Sequence, residues 1–337
     1  MEGSLLVIIL IVIFAVAFSV TNGWNDAANA IATVVATRVL TPLQAVIFGG
    51  LLNTIGAFAS SEVANTIGKG IADPRIVTGT TFLAAVVIAP IWVTYCTKKG
   101  LPISCSHSLM GGLIGAVIAT AGISGLQSEG IKKIVFGILF SPIIGFLLGY
   151  VIMVIVAWLF RNVKPRTASL IFGKLQLVSA GAMAFAHGTG DAQKAMGIIS
   201  GALVAGGFLA MGDNGKLPIP AWVRIVCAVT MGIGTAVGGW AVVRTLGTRL
   251  AHLRPHQGFS AETAGATTIL VNTLTGVPIS TTHSITGAVM GVGAAHGVKS
   301  VKWTVGKKIV FAWVVTFPVC IAGGAVLFLI MRYLGVH

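Results

Sequence analysis

The chain has 337 residues, of which 55% are hydrophobic and only 9% charged. Soluble domains carry about 25% charged residues, so composition excludes a soluble fold, a disordered chain and a disulfide scaffold. Lys and Arg number 22 against 8 Asp and Glu, a net charge of +14. The basic residues lie mostly between apolar runs, which suits loops beside an anionic membrane surface and not a nucleic-acid partner.

Apolar stretches run near 4–21, 30–60, 77–97, 101–121, 131–160, 168–187, 192–211, 219–243, 262–296 and 303–334. One crossing needs about 20 residues, so several stretches are long enough for more than one element and others are short or broken by glycine. The expectation is an all-α polytopic membrane protein with about 9–12 transmembrane segments, some of them re-entrant helical hairpins. The first stretch follows Met1-Glu2-Gly3-Ser4, which lacks the basic start of a signal peptide. It reads as a retained first helix. The 161–174 stretch is the most polar, with Arg161, Lys164, Arg166 and Lys174. Positive loops face the cytoplasm, which places this connector inside and the N-terminus outside the plasma membrane. Cys96, Cys105, Cys227 and Cys320 lie in or beside apolar stretches with no C-x-x-C spacing and read as buried small residues.

Internal repetition organises the chain. Residues 100–115 read GLPISCSHSLMGGLIG and residues 276–291 read GVPISTTHSITGAVMG, 176 residues apart. A second pair sets Gly23-Trp-Asn-Asp26-Ala-Ala-Asn29-Ala30 against Gly188-Thr-Gly-Asp191-Ala-Gln-Lys194-Ala195. A third, weaker pair sets Asn53-Thr-Ile-Gly-Ala57 against Glu262-Thr-Ala-Gly-Ala266. Duplication gives a first membrane repeat over 1–160, the basic connector over 161–174 and a second repeat over 175–337. Two such halves suit a transporter with a site at their interface, and the repeats are inverted if each half crosses an odd number of times.

Few residues can carry chemistry in such a chain. Asp26 and Asp191 lie between apolar runs, where a carboxylate requires a cation, a partner or water. The neighbouring glycines allow an unwound backbone whose carbonyls coordinate a hard cation, and Asn25 and Asn29 add neutral oxygens. The alternative is a pair of helix caps near the interface. The twin Pro-Ile-Ser segments start helices, and Ser104, Ser106, Ser280 and Thr282 supply hydroxyls where backbone N–H groups are unpaired. Two facing helix starts bind an oxyanion, and the alternative is ordinary capping. His107 and His283 make poor bases, because adjacent serines point elsewhere and no acid lies nearby in sequence. Glu262 and Asn53 form a third polar pair, joining a cation pathway or, for Glu262, ending a loop. Lys194 stands where the first half has Asn29, either neutralising Asp191 or approaching the anion.

These motifs resemble the inorganic phosphate transporter (PiT) family. The resemblance rests on Gly23-Trp24-Asn25-Asp26-Ala27-Ala28-Asn29-Ala30, on His187-Gly-Thr-Gly190-Asp191-Ala-Gln193-Lys194, on both Pro-Ile-Ser blocks and on Gly258-Phe259-Ser260-Ala261-Glu262. It covers nearly the whole chain. It implies an inverted-repeat fold and ion-coupled uptake of inorganic phosphate, with no enzymatic activity and no cofactor beyond sodium or protons as coupling ions. Asp26, Asp191 and Glu262 match acids tied to transport in the family; with Asn25, Asn29, Asn53 and Gln193 they make up the expected cation ligands, with sodium on Asp26 and Asp191. The expected phosphate ligands are Ser104, Cys105, Ser106, Lys194, Ser280, Thr281 and Thr282. Gly190 departs from the family's Asn, which removes one side-chain oxygen from the second cation site. The family alone suggests a homodimer. The rival readings are a sulfate permease of the same fold, a membrane enzyme acting on a phosphorylated lipid, and a passive channel.

Overall fold

The computed structural model describes residues 5–72, 77–212 and 215–336, so Met1–Ser4 lie outside the described residues. Within these, the chain is helical. The helices are α1 (Leu5–Ala36), α2 (Pro42–Gly56), α3 (Glu62–Gly68), α4 (Gly79–Lys98), α5 (Cys105–Ala121), α6 (Ser128–Leu159), α7 (Pro165–Ala205), α8 (Ala221–Val237), α9 (Trp240–Arg244), α10 (Pro255–Leu274), α11 (Thr281–His296) and α12 (Trp303–Tyr333).

Five of them, α1, α4, α6, α7 and α12, are long and apolar enough to cross a membrane. A sixth span results if α8 is counted with the segment Trp240–Arg249, to which it is bent by 60°. At 1.5 Å per residue the 41-residue α7 is about 60 Å long, twice a hydrocarbon core. The rest are shorter or more polar. α5 and α11, with 17 and 16 residues, are only about 25 Å long, and each begins after an extended Pro-Ile-Ser stretch. They fit half-spans that start inside the protein, the behaviour expected of re-entrant segments.

Helix bounds recur at a near-constant offset along the chain. α4, α5 and α6 are followed 175–176 residues later by α10, α11 and α12. The halves exchange partners: α1 packs on α8, and α7 packs on α2. This overturns the pairing of Asn53 with Glu262. Asn53 lies on α2 against α7, whereas Glu262 lies on α10, whose counterpart is α4. Their shared Thr-x-Gly-Ala letters therefore fall on helices at different places in the order. The connector is also shorter than its basic composition indicates, because α7 begins at Pro165. Proline suits that first turn, where its missing N–H costs nothing.

Much of the glycine goes to helix contacts. In membranes, packing replaces hydrophobic collapse as the force between helices, and small residues let backbones approach. A Cβ at Gly145 of α6 would strike the Ser284 carbonyl of α11, and one at Gly291 of α11 would strike the Phe146 carbonyl of α6. α5 and α12 repeat the arrangement through Gly115 on the Ile321 carbonyl and Gly324 on the Gly112 carbonyl. These contacts seat α5 on α12 and α11 on α6.

Candidate functional site

α1 and α7 each carry a polar face inside otherwise apolar helices. Asn22, Asp26 and Asn29 fall at i, i+4 and i+7 of α1, and His187, Asp191 and Lys194 fall at the same spacing on α7. That spacing places each set on one helix face. All six side chains are buried. Neither helix unwinds at its aspartate, which corrects the expectation of exposed carbonyls there. The neighbouring glycines serve packing instead. A Cβ on Gly23 would meet the Met231 carbonyl of α8, and one on Gly188 the Asn53 carbonyl of α2.

The two faces meet. One ligand atom each from Asp26, His187 and Asp191 lies within 4.8 Å of the others. With its amide nitrogen turned toward the acids, Asn22 donates to Asp26 Oδ2 at 3.1 Å and to Asp191 Oδ2 at 3.2 Å. His187 Nε2 is 3.3 Å from Asp191 Oδ2 and 3.8 Å from Asp26 Oδ2. Lys194 Nζ reaches Asp191 Oδ1 at 2.6 Å. The His187 ring is oriented from behind. Asn53 Nδ2 donates to Thr235 Oγ1 at 2.7 Å, so Asn53 Oδ1 is the acceptor for His187 Nδ1–H at 2.9 Å. Nε2 therefore faces both carboxylates either as a lone pair or as a second N–H. Either form is compatible with positive charge between the acids, as a cation or as imidazolium.

The first turn of α11 closes the site. Thr282 Oγ1 donates to Asp26 Oδ1 at 2.9 Å, and Thr281 Oγ1 to Asp191 Oδ2 at 3.4 Å. Asn29 Nδ2 donates to both threonine hydroxyls, at 3.3 and 3.1 Å. Ser104 and Ser280 are N-caps, accepting from His107 N and His283 N at 3.2 Å each. Ser106 Oγ donates across the interface to the Ile279 carbonyl at 3.0 Å. The starts of α5 and α11 are thus joined, and the His107 and His283 rings meet edge-on at 4.5 Å.

A family model described as the phosphate transporter family matches residues 22–324. This chain belongs to the phosphate transporter family. It is 43% identical over 282 residues to a Rhizobium meliloti protein, covering 83% of each chain. It is 39% identical over 297 residues to a Bacillus subtilis protein, covering 88% of each. Both carry the name "probable low-affinity inorganic phosphate transporter". A Mycobacterium tuberculosis (strain H37Rv) protein of the same name is 38% identical, with 88% of this chain and 70% of that one aligned. A solved structure described as "the sodium-dependent phosphate transporter" shares the fold, with a TM-score of 0.90 over 98% of this chain and 100% of that one, at 24% identity. Membership makes the chain a multi-pass membrane transporter and not an enzyme.

Within this member of the family, the expected residues fall into three groups. Asp26, Asn29, Asp191, Lys194, Thr281 and Thr282 converge at the centre, and Asn25 beside them donates to Thr97 Oγ1 at 2.7 Å. Ser104, Cys105, Ser106 and Ser280 surround that centre at the two helix starts, with the Ser104 and Ser280 hydroxyls engaged in capping. Asn53, Gln193 and Glu262 are committed elsewhere. Both ends of the Asn53 amide are in use, and Gln193 accepts from Ala64 N at 3.0 Å and donates to the Thr189 carbonyl at 2.6 Å. Glu262 sits in its own buried pocket, where Thr33 and Ser179 each donate to it at 2.5 Å and Gln176 at 3.0 Å. Asn53 thus bonds the site histidine from behind, while Gln193 and Glu262 make their hydrogen bonds to other groups.

Sequence reasoning missed Asn22 as a site residue and left His187 without a role. The signal was present: Asn22 and His187 both precede the aligned glycines by one residue and so share a repeat position. Thr97, Thr235, Gln176 and Ser179 carried no signal, because isolated Thr, Gln and Ser in apolar helices look the same whether they bond a neighbour or their own backbone.

Proposed function

We propose that this chain is a secondary active symporter that imports inorganic phosphate together with sodium ions or protons, by alternating access around the aspartate pair. The observation that carries the reading is the bond between Thr282 and Asp26. It ties the first turn of α11, where an oxyanion finds donors, to the carboxylate that attracts a cation. A cation on Asp26 Oδ1 competes for the oxygen that now accepts from Thr282. The hydroxyl is released to donate to a phosphate oxygen, alongside Thr281 and the first N–H groups of α5 and α11. Phosphate is then held well only when the cation is present, which is coupling in thermodynamic form.

The cation ligands in this reading are Asp26, Asn25 and Asn29 on α1, with Asp191 and His187 from α7. Sodium is supported by the description of the solved structure that shares the fold, and the shared family supports phosphate. In the same reading the N-terminus lies outside and the Arg161–Lys164 turn in the cytoplasm, following the positive-inside rule.

The test is radiolabelled phosphate uptake into proteoliposomes under an inward sodium gradient, a matched proton gradient, or neither. Accumulation above equilibrium under one gradient, and its loss in Thr282→Val with phosphate leak unchanged, is the expected outcome. Equal uptake under all three conditions contradicts symport, and sulfate accumulation without phosphate accumulation contradicts the substrate.

A further inference from the structure

The two aspartates are equivalent by repetition but not by surroundings. Asp26 is flanked by Asn25 and Asn29, and the side-chain oxygens of both are buried with no hydrogen-bond donor. Buried acceptors are almost always satisfied, so two unsatisfied ones beside a carboxylate point to a cation as the missing partner. At the matching positions of α7 stand Gly190 and Lys194. Gly190 supplies no oxygen, and its Cα faces Thr273 on α10, as Asn25 faces Thr97 on α4. Lys194 is 2% exposed and places its ammonium 2.6 Å from Asp191 Oδ1.

We infer that Lys194 is a tethered cation that permanently fills the second cation position, leaving one mobile coupling cation, at Asp26. The inference rests on the coupled-transport reading above and makes it asymmetric. An ammonium carries the same unit charge as a sodium ion and contacts carboxylate oxygens at a similar distance, but it cannot leave. Lys194 is held by a four-carbon stem on α7, in a helix whose packing against α2, α3 and α10 fixes its position. Asp191 is therefore neutralised throughout the cycle, and a single charge, that of Asp26, is left for the gradient to load. Among the described residues no other Lys or Arg is buried, and the carboxylate in direct contact with this ammonium is that of Asp191. A buried ion pair at membrane depth costs desolvation that a structural role does not require, and small apolar residues would pack the same space.

The experiment measures phosphate uptake by wild-type proteoliposomes as a function of sodium at fixed pH, and as a function of pH at fixed sodium and fixed phosphate species. It repeats both for Gly190→Asn/Lys194→Asn, which restores the first-half composition. A Cβ at position 190 meets only the Thr273 hydroxyl and Ile269, at 3.1 and 3.7 Å, so the change requires a small shift of the Thr273 side chain and no backbone displacement at the Cβ. The expected activation by the coupling cation has a Hill coefficient of about 1 in the wild type, rising toward about 2 in the double variant, whose second position now needs a free cation. A wild-type coefficient near 2 overturns the inference and leaves symport standing. An unchanged coefficient in a double variant that still transports also overturns it. Phosphate flux that no cation activates overturns symport and the inference together. If the double variant does not elute as a folded species, the wild-type coefficient alone decides.

Discussion

His187 shows how a single ring can be held for a task by residues that never touch the substrate. Its Nδ1–H is donated to Asn53 Oδ1, and Asn53 is in turn fixed by Thr235. Removing that support frees the ring to rotate and pulls Nε2 away from the carboxylates. A hydrogen bond of this kind is worth about 0.5–1.5 kcal/mol, so Asn53→Ala is expected to weaken phosphate uptake by roughly three- to tenfold. Asn53→Asp is the informative companion, because it keeps an acceptor for Nδ1 and adds a charge. Its uptake should exceed that of Asn53→Ala if orientation of the ring is what matters. At Glu262 the donors are two hydroxyls and an amide with no cation among them, so Thr33→Val removes one of three donors to a buried carboxyl. The expected result is lower thermal stability, about 1–3 kcal/mol, with coupling at Asp26 unchanged, measured by unfolding midpoint and by cation-dependent uptake on the same preparation.

At the scale of elements, the molecule is assembled from helix pairs whose glycines meet carbonyls. The α6–α11 and α5–α12 pairs hold the two short helices whose starts face the site. The Cβ added by Gly291→Val meets the Phe146 carbonyl, and that added by Gly115→Val meets the Ile321 carbonyl. Overpacking of this kind costs about 1–3 kcal/mol, and either change should lower the unfolding temperature in detergent and reduce uptake together. A change on the exposed face of a partner helix, such as Phe311→Leu on α12, should alter neither.

Elements also show what was legible beforehand. The Pro-Ile-Ser blocks announced two helix starts, because proline and a cap residue can hardly be read otherwise, and the repeat spacing located both. The glycines beside Asp26 and Asp191 were misread as places of unwinding, since sequence does not distinguish a glycine that bends a helix from one that admits a neighbour. The pairing of Asn53 with Glu262 failed for a related reason. Three shared letters in small-residue helices carry little information, and the helix bounds show that α2 and α10 do not correspond. Lys194 was left between two roles because its direction along α7 depends on where α1 crosses, a tertiary fact.

Across the whole molecule, burial makes the site inaccessible from either side as the chain stands. Asp26, Asp191 and Lys194 are covered, and all four cysteines are buried. The wild-type chain should therefore resist a membrane-impermeant maleimide in intact vesicles. With Val163→Cys in the turn before α7, labelling should appear only when reagent reaches the cytoplasmic face. Labelling from outside would reverse the orientation. The halves exchange helices, α1 to α8 and α7 to α2, so relative motion of two independent halves is not what the packing favours. The short helices α5 and α11 pack mainly on α12 and α6, so in the proposed transport cycle these two pairs would move as units against α1 and α7.

The central claim is that cation binding at Asp26 and phosphate binding at the helix starts are one linked equilibrium. The most direct measurement is equilibrium binding of radiolabelled phosphate to purified protein at low and high concentration of the coupling cation, for wild type and Asp26→Asn. Linkage predicts that the cation tightens phosphate binding in the wild type by about 5–150-fold, the range of a coupling energy of 1–3 kcal/mol, and that the effect vanishes in Asp26→Asn. Phosphate affinity that is the same at both cation concentrations in the wild type would contradict the account.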